Sequence, residues 1–171
     1  YFFKKLYKID PSKHGRMALV SSLNYTDNIT QEDYMEECLK FSAIVEKKLF
    51  VEKETFNFNY TKNTKIKIAF LSGDFRRHSV PNFLYDLFKK INKEKFELIL
   101  LSNLNENEKD KVSLKLNSFA DKWFDVFKYS DLQLVQFLRS INIDILIDLS
   151  GFTEGNRFEA LARRCAKIQI G

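Results

Sequence analysis

From Lys65 onward, short apolar, β-branched runs alternate with amphipathic stretches of roughly ten residues, and each change of period falls at a turn-forming residue. The strand-like runs are KIKIAFL, FELILLS, WFDVF, DILIDLS and KIQI; the helix-like runs between them are PNFLYDLFKKI, DKVSLKLNSFA, SDLQLVQFLRSI and NRFEALARR. Strand, helix and strand in succession build a parallel sheet with helices on both faces. KIAFL and DILIDL are nearly continuous apolar runs, as burial on both faces requires. The pattern predicts a Rossmann-like α/β domain over residues 65–171. Pro81 falls in the first turn of its helix, where a missing N–H costs nothing. Ser130 is placed to cap the helix that follows it.

The segment before Lys65 has a different period. Met17, Leu19, Val20 and Leu23 form the apolar side of a short helix that Ser12 can cap, with Pro11 ending anything earlier. A second helix starts at Thr30, whose hydroxyl can accept from the Asp33 amide; its apolar face runs Tyr34, Cys38, Phe41, Val45, Leu49. Residues 1–50 are thus expected to be helical, and 51–64, rich in Asn and Thr, to be a linker.

Composition narrows the function. The 171 residues suffice for one domain with an appendage. A net charge of +5 is mild, and most Lys residues stand beside acids, as in NENEKDK, which describes a solvated face rather than a nucleic-acid footprint. No apolar run approaches the ~20 residues of a membrane span. Cys38 and Cys165 are isolated, so reduced thiols and a cytoplasmic setting are expected, with no metal site. GxGxxG, Walker A, GxSxG and HExxH are all absent, which removes support for nicotinamide binding, P-loop hydrolysis, esterase and zinc-protease chemistry.

In an open parallel sheet ligands bind beyond the carboxyl ends of the strands. Two loops leaving such ends are unusual. In the first, Gly73 permits a tight turn, Asp74 can accept backbone hydrogens, and Arg76, Arg77 and His78 supply positive or titratable groups. His78 can exchange a proton near neutrality, which makes it the candidate for acid/base or hydrogen-bond work; a solvated basic turn is the other reading. In the second loop, Gly151 and Gly155 flank Thr153 and Glu154, and free amides before NRFEALARR could meet an anion. Arg157, in the first turn of that helix, either contacts the ligand or anchors the loop; taken alone, the residues favour anchoring.

KIKIAFLSGDFRRHSVPNFL and DILIDLSGFTEGNRFEALARRCAKIQIG resemble, in this order and separation, two segments of the O-linked N-acetylglucosamine transferases and their bacterial TPR-linked relatives. LVSSLNYTDNITQEDYMEECLKF is similar to the helical connector that follows the TPR array in that family. The resemblance spans nearly all of residues 15–171. It implies the N-terminal lobe of a cytoplasmic GT-B glycosyltransferase that moves GlcNAc from UDP-GlcNAc to Ser or Thr of a protein or peptide acceptor, with inversion and with neither metal nor cofactor. It further implies that Asp74 and His78 are catalytic candidates, and that Gly73, Arg77, Gly151, Thr153, Gly155 and Arg157 bind substrate. The uridine and diphosphate contacts would belong to a second lobe, so these residues alone should not turn over. Two positions depart from the family: Asn82 replaces a second His found in animal members, and Lys167 replaces a Pro. Transfer of another hexose, transfer to Asn, or a non-catalytic scaffold are the alternative expectations.

Overall fold

The computed structural model describes residues 5, 12–27, 29–47 and 64–171. The chain divides into two compact units, Tyr1–Glu52 and Lys53–Gly171. The expected linker lies outside the described residues apart from Thr64, as does Leu49.

The first unit contains α1 (Lys13–Leu23) and α2 (Gln31–Lys47), which pack against each other. Ser12 caps α1, its hydroxyl accepting from the amides of His14 and Gly15. At the start of α2 the exchange is reciprocal: Thr30 Oγ1 accepts from the Asp33 amide at 3.1 Å, and Asp33 Oδ2 accepts from the Thr30 amide at 3.2 Å. Leu19, Val20 and Leu23 are buried on α1 and Phe41 and Val45 on α2, and Arg16 and Glu37 form an ion pair between the helices.

The second unit is a five-stranded parallel sheet in the order β3-β2-β1-β4-β5, comprising β1 (Ile66–Ser72), β2 (Phe96–Ser102), β3 (Lys122–Asp125), β4 (Ile145–Asp148) and β5 (Ile168–Ile170). The strand period of two sorts side chains between the faces. Phe70, Leu98 and Leu100 meet Leu84 and Phe88 of α3 (Val80–Lys90) and Leu116 of α4 (Lys111–Asn117). Ala69, Leu71, Ile99, Leu101 and Leu146 meet Leu134, Val135 and Leu138 of α5 (Asp131–Ser140) and Ala160 of α6 (Phe158–Leu161). The result is the expected three-layer, Rossmann-like domain. Among the described residues no helix is long and apolar enough to cross a membrane.

Four elements are shorter than their patterns suggest. The helix expected over DKVSLKLNSFA stops at Asn117, and the strand expected over WFDVF stops at Asp125, where the Val126 amide donates to the Ser102 carbonyl and the chain turns away. In DILIDLS the strand ends at Asp148; the Leu149 amide still donates to the Leu71 carbonyl, and the Ser150 and Gly151 amides then turn to the Asp148 carboxylate. NRFEALARR yields only the four residues of α6. Arg157 stands at its N-cap rather than in its first turn, and Arg164 adopts φ 56°, a conformation that ends a helix. Arg139 donates to the carbonyls of Arg163 and Arg164 and secures that exit.

The sheet order locates the ligand edge. The chain runs outward from β1 through β2 to β3, then returns to β4 on the other side of β1. Loops after β1 and β4 therefore diverge to opposite faces and leave a crevice between them at their carboxyl ends.

Candidate functional site

β1, β2 and β4 end in step. Ser72 is level with Ser102 and Leu71 with Asp148, so the loops at 73–79 and 149–157 leave the same edge of the sheet from adjacent strands. His78 and Thr153 belong to these two loops.

The first loop is fixed from beneath. Phe75 is wholly buried and packs on Trp123 with ring centroids 5.7 Å apart. The hydroxyl of Ser113 donates to the Phe75 carbonyl at 2.6 Å, and the Arg77 amide donates to Asp110 Oδ2 at 2.8 Å. Asp110 and Ser113 are the capping box of α4, so a helix start and a loop are held by the same two side chains. The amides that Asp110 accepts, Arg77's first among them, hold its carboxyl below the usual carboxylate range. Asp74 is braced by the Ser72 hydroxyl, which accepts its amide at 2.9 Å. Its carboxylate lies 3.8 Å from His78 Nδ1, and that nitrogen accepts from the Val80 amide at 3.4 Å. The His78 side chain is 42% exposed. Arg76 pairs with Glu108 at 2.5 Å, while Arg77 is exposed and its backbone amide is the group that Asp110 holds.

The second loop is held by Asp148. Its Oδ1 accepts the Ser150 amide at 3.2 Å and its Oδ2 the Gly151 amide at 3.0 Å. A Cβ placed on Gly171 would lie 3.3 Å from that of Asp148, so β5's exit closes over the carboxylate. Burial pushes the Asp148 pKa up, against the two amide bonds that pull it down. Thr153 then donates both its amide and its hydroxyl to the Ser150 carbonyl, at 3.0 and 2.7 Å, leaving the lone pairs of Oγ1 on an exposed side chain. Gly151 and Gly155 sit at φ 51° and 77°, the left-handed region that side chains disfavour, so their place in the loop follows from the backbone path.

Arg157 is buried, 8% exposed, and its donors are directed inward. Nε donates to Asp131 Oδ1 at 2.6 Å, Nη2 to the Tyr129 carbonyl at 2.7 Å, and Nη1 to Asn103 Oδ1 at 3.0 Å and the Val126 carbonyl at 3.5 Å. In this structure Arg157 anchors the second loop to the 126–130 loop. The anion site expected from amides ahead of NRFEALARR has little behind it, since four helical residues align few peptide dipoles. Lys167 pairs with Asp144 at 2.5 Å near the amino ends of the strands, so the departure from Pro lies away from the candidate site. Among the described residues no three His, Cys, Asp or Glu side chains gather as a metal set.

Three organising residues are absent from the motif reading: Asn103, Asp110 and Asp148. Asp148 carried a signal, an acid inside an otherwise apolar strand run just before a Gly turn. Asp110 carried the D-x-x-S spacing of a capping box. Asn103 follows β2 without any recognisable pattern.

A doubly wound parallel sheet with two braced loops at its strand-order reversal defines a Rossmann-like lobe of the kind from which GT-B transferases are built. The chain belongs to glycosyl transferase family 41, whose family model matches residues 4–171. It is 28% identical over 106 residues to the probable UDP-N-acetylglucosamine–peptide N-acetylglucosaminyltransferase SEC of Arabidopsis thaliana, covering 62% of this chain and 11% of that protein. Over 171 residues it is 23% identical to the probable enzyme of the same description, SPINDLY, of Solanum lycopersicum, covering 95% of this chain and 18% of that one. Among solved structures, a Thermobaculum terrenum O-GlcNAc transferase mutant superposes with a TM-score of 0.84 at 25% identity, over 95% of this chain and 31% of that chain. The chain thus spans less than a fifth of the length of these curated relatives.

Proposed function

We propose that the protein containing this lobe transfers N-acetylglucosamine from UDP-N-acetylglucosamine to a Ser or Thr hydroxyl of a protein acceptor, with inversion, and that these residues form the acceptor side of the cleft. The observation that carries the proposal is that the 73–79 and 149–157 loops leave the same sheet edge on the two sides of the β1/β4 reversal, in a chain whose relatives are described as probable UDP-N-acetylglucosamine–peptide N-acetylglucosaminyltransferases. In the reaction the acceptor oxygen bonds to the anomeric carbon, the bond from that carbon to the diphosphate oxygen breaks, UDP leaves with the electron pair, and the hydroxyl proton passes to a base. A second lobe holds the uridine and the diphosphate.

The geometry suggests how the work divides. With Nδ1 accepting from Val80, neutral His78 carries its proton on Nε2 and presents a donor. It is therefore assigned to polarising a substrate oxygen rather than to removing the acceptor proton. Asp74 Oδ2 lies 3.8 Å from Nδ1, on the side of the ring away from the Nε2 proton. Thr153 Oγ1 accepts from a sugar or acceptor hydroxyl; Gly73, Gly151 and Gly155 let backbone approach; Arg77 supplies an exposed guanidinium at the rim; Arg157 acts by fixing the loop. Residues 1–50 are assigned to a helical connector after a TPR array, 51–64 to a linker, and the protein to the cytoplasm. The test is mass spectrometry of a Ser/Thr peptide incubated with the full-length protein and a panel of UDP- and GDP-sugars. A mass gain of one N-acetylhexosamine on a hydroxyl, from UDP-GlcNAc alone, is expected; a different sugar, or modification of Asn, overturns the assignment.

A further inference from the structure

Between Ser150 and Asn156 the hydrogen bonds of the second loop are local, the Ser150 and Gly151 amides donating to Asp148, Thr153 to Ser150 and Asn156 to Thr153, while Arg157 ties its far end to the 126–130 loop. The local bonds shape the loop, and Arg157 holds it toward the 126–130 loop. Its link to the β1–β2 side of the strand edge is Asn103. It is the first residue past β2, 8% exposed, and its side chain spends both of its hydrogen-bonding functions on that loop. Nδ2 donates to the Gly155 carbonyl at 2.7 Å, and Oδ1 accepts from Arg157 Nη1 at 3.0 Å. Its backbone is tied to the first loop's root: the Asn103 amide donates to the Ser72 carbonyl at 2.8 Å, and its carbonyl lies 3.5 Å from where a Cβ on Gly73 would stand. Loop one leaves β1 at Ser72, loop two carries Gly155 near its end, and one residue touches both.

We propose that Asn103 is a positioning residue of the transfer site: its side-chain N–H, by holding the Gly155 carbonyl, sets the second loop's distance from the first and thereby the placing of Thr153 relative to His78. The proposal rests on the transferase reading above. Asparagine suits the role because one planar amide supplies a donor and an acceptor side by side, and Asn103 and Arg157 are buried, so that the amide bridges from the interior to the exposed Gly155 through a half-buried bond. Aspartate has the same size and keeps an acceptor for Arg157, now charge-assisted, but it has no N–H for Gly155 and sets a carboxylate against that carbonyl. Asn103→Asp therefore separates the anchor from the positioning bond, while the backbone link to Ser72 is untouched.

The experiment compares full-length wild type and Asn103→Asp by amide hydrogen exchange over residues 150–157 and by acceptor-peptide kinetics with UDP-GlcNAc. Exchange in that segment is expected to rise about 10-fold or more. Because displacing reacting groups by about 1 Å can cost on the order of 10²-fold, kcat should fall at least ~10-fold, with the KM for UDP-GlcNAc unchanged. Faster exchange with unaltered kcat makes Asn103 a structural residue only and overturns the proposal, and so does unaltered exchange. If Asn103→Asp loses cooperative melting, Asn103→Ser, uncharged and smaller, replaces it under the same readings. Wild type that transfers no sugar overturns the transferase reading, and with it the catalytic half of this proposal, while exchange still decides whether the Gly155 bond sets the loop.

Discussion

Replacing Arg157 by Ala should be among the most damaging single changes in this domain, and its size can be worked from the contacts. The guanidinium serves Asp131, Asn103 and the carbonyls of Val126 and Tyr129, and the residue is 8% exposed. Removing one partner of a buried pair costs roughly 3–5 kcal/mol, since the other charge stays desolvated and the freed acceptors go unsatisfied. The Asp131 side chain is 27% exposed and can be rehydrated, which places the loss at the lower end, about 3 kcal/mol. That is a large share of a domain stability of about 5–15 kcal/mol. For a chain of this length it corresponds to a fall of roughly 6–12 °C in melting temperature. Arg157→Lys keeps the charge on Asp131 but not the fork that reaches Asn103 and Tyr129, so about half the loss is expected. Urea titration followed by circular dichroism measures both. A loss under about 1 kcal/mol for the alanine variant would refute the claim that this network is desolvated and holds the loops.

His78→Ala in the full-length protein should lower kcat about 10²-fold, the usual cost of a lost positioned polar group, with melting unchanged because the ring is substantially exposed. Two carboxylates should give opposite pH dependences. Asp110 has its folded pKa lowered, so it contributes stability above its ordinary value near 3.8, and that contribution is lost as pH falls through the lower folded value. Asp148 has its folded pKa raised, so stability declines as pH rises from near 3.8 through the higher folded value. Asp110→Asn should flatten the acid limb of a stability profile and Asp148→Asn the slope above it; profiles unchanged by both variants would contradict these surroundings. Cys165 is buried, donates to the Ala160 carbonyl, and has its thiol pushed up to about 12, so in native protein at pH 8 a disulfide reagent should label the half-buried Cys38 first and Cys165 only on unfolding.

Much of the architecture was present as local pattern. Alternating periods announced five strands and the helices between them, and Ser12, Thr30 and Ser130 announced helix starts that the structure places within one residue. These signals are readable because they depend on hydrogen bonds and side-chain directions within a few residues. The two glycine-bearing loops were legible for the same reason: a turn needs particular residues where it turns. Element ends were less so. α6 stops at Leu161 because Arg139, far away in sequence, takes the carbonyls of Arg163 and Arg164, and nothing within NRFEALARR encodes that.

The sequence by itself determined the class of fold and the two glycine-bearing loops that leave the carboxyl ends of β1 and β4. Only the tertiary structure decided the order 3-2-1-4-5, which makes neighbours of loops about 75 residues apart, and the three side chains that lock them: Asn103 on Gly155 and Arg157, Asp110 on Arg77, and Asp148 beneath its own turn. The physical reason is that periodicity records which face a residue turns toward the core, whereas a buried hydrogen bond records which distant segment lies against it, and that is set by how the strands pair.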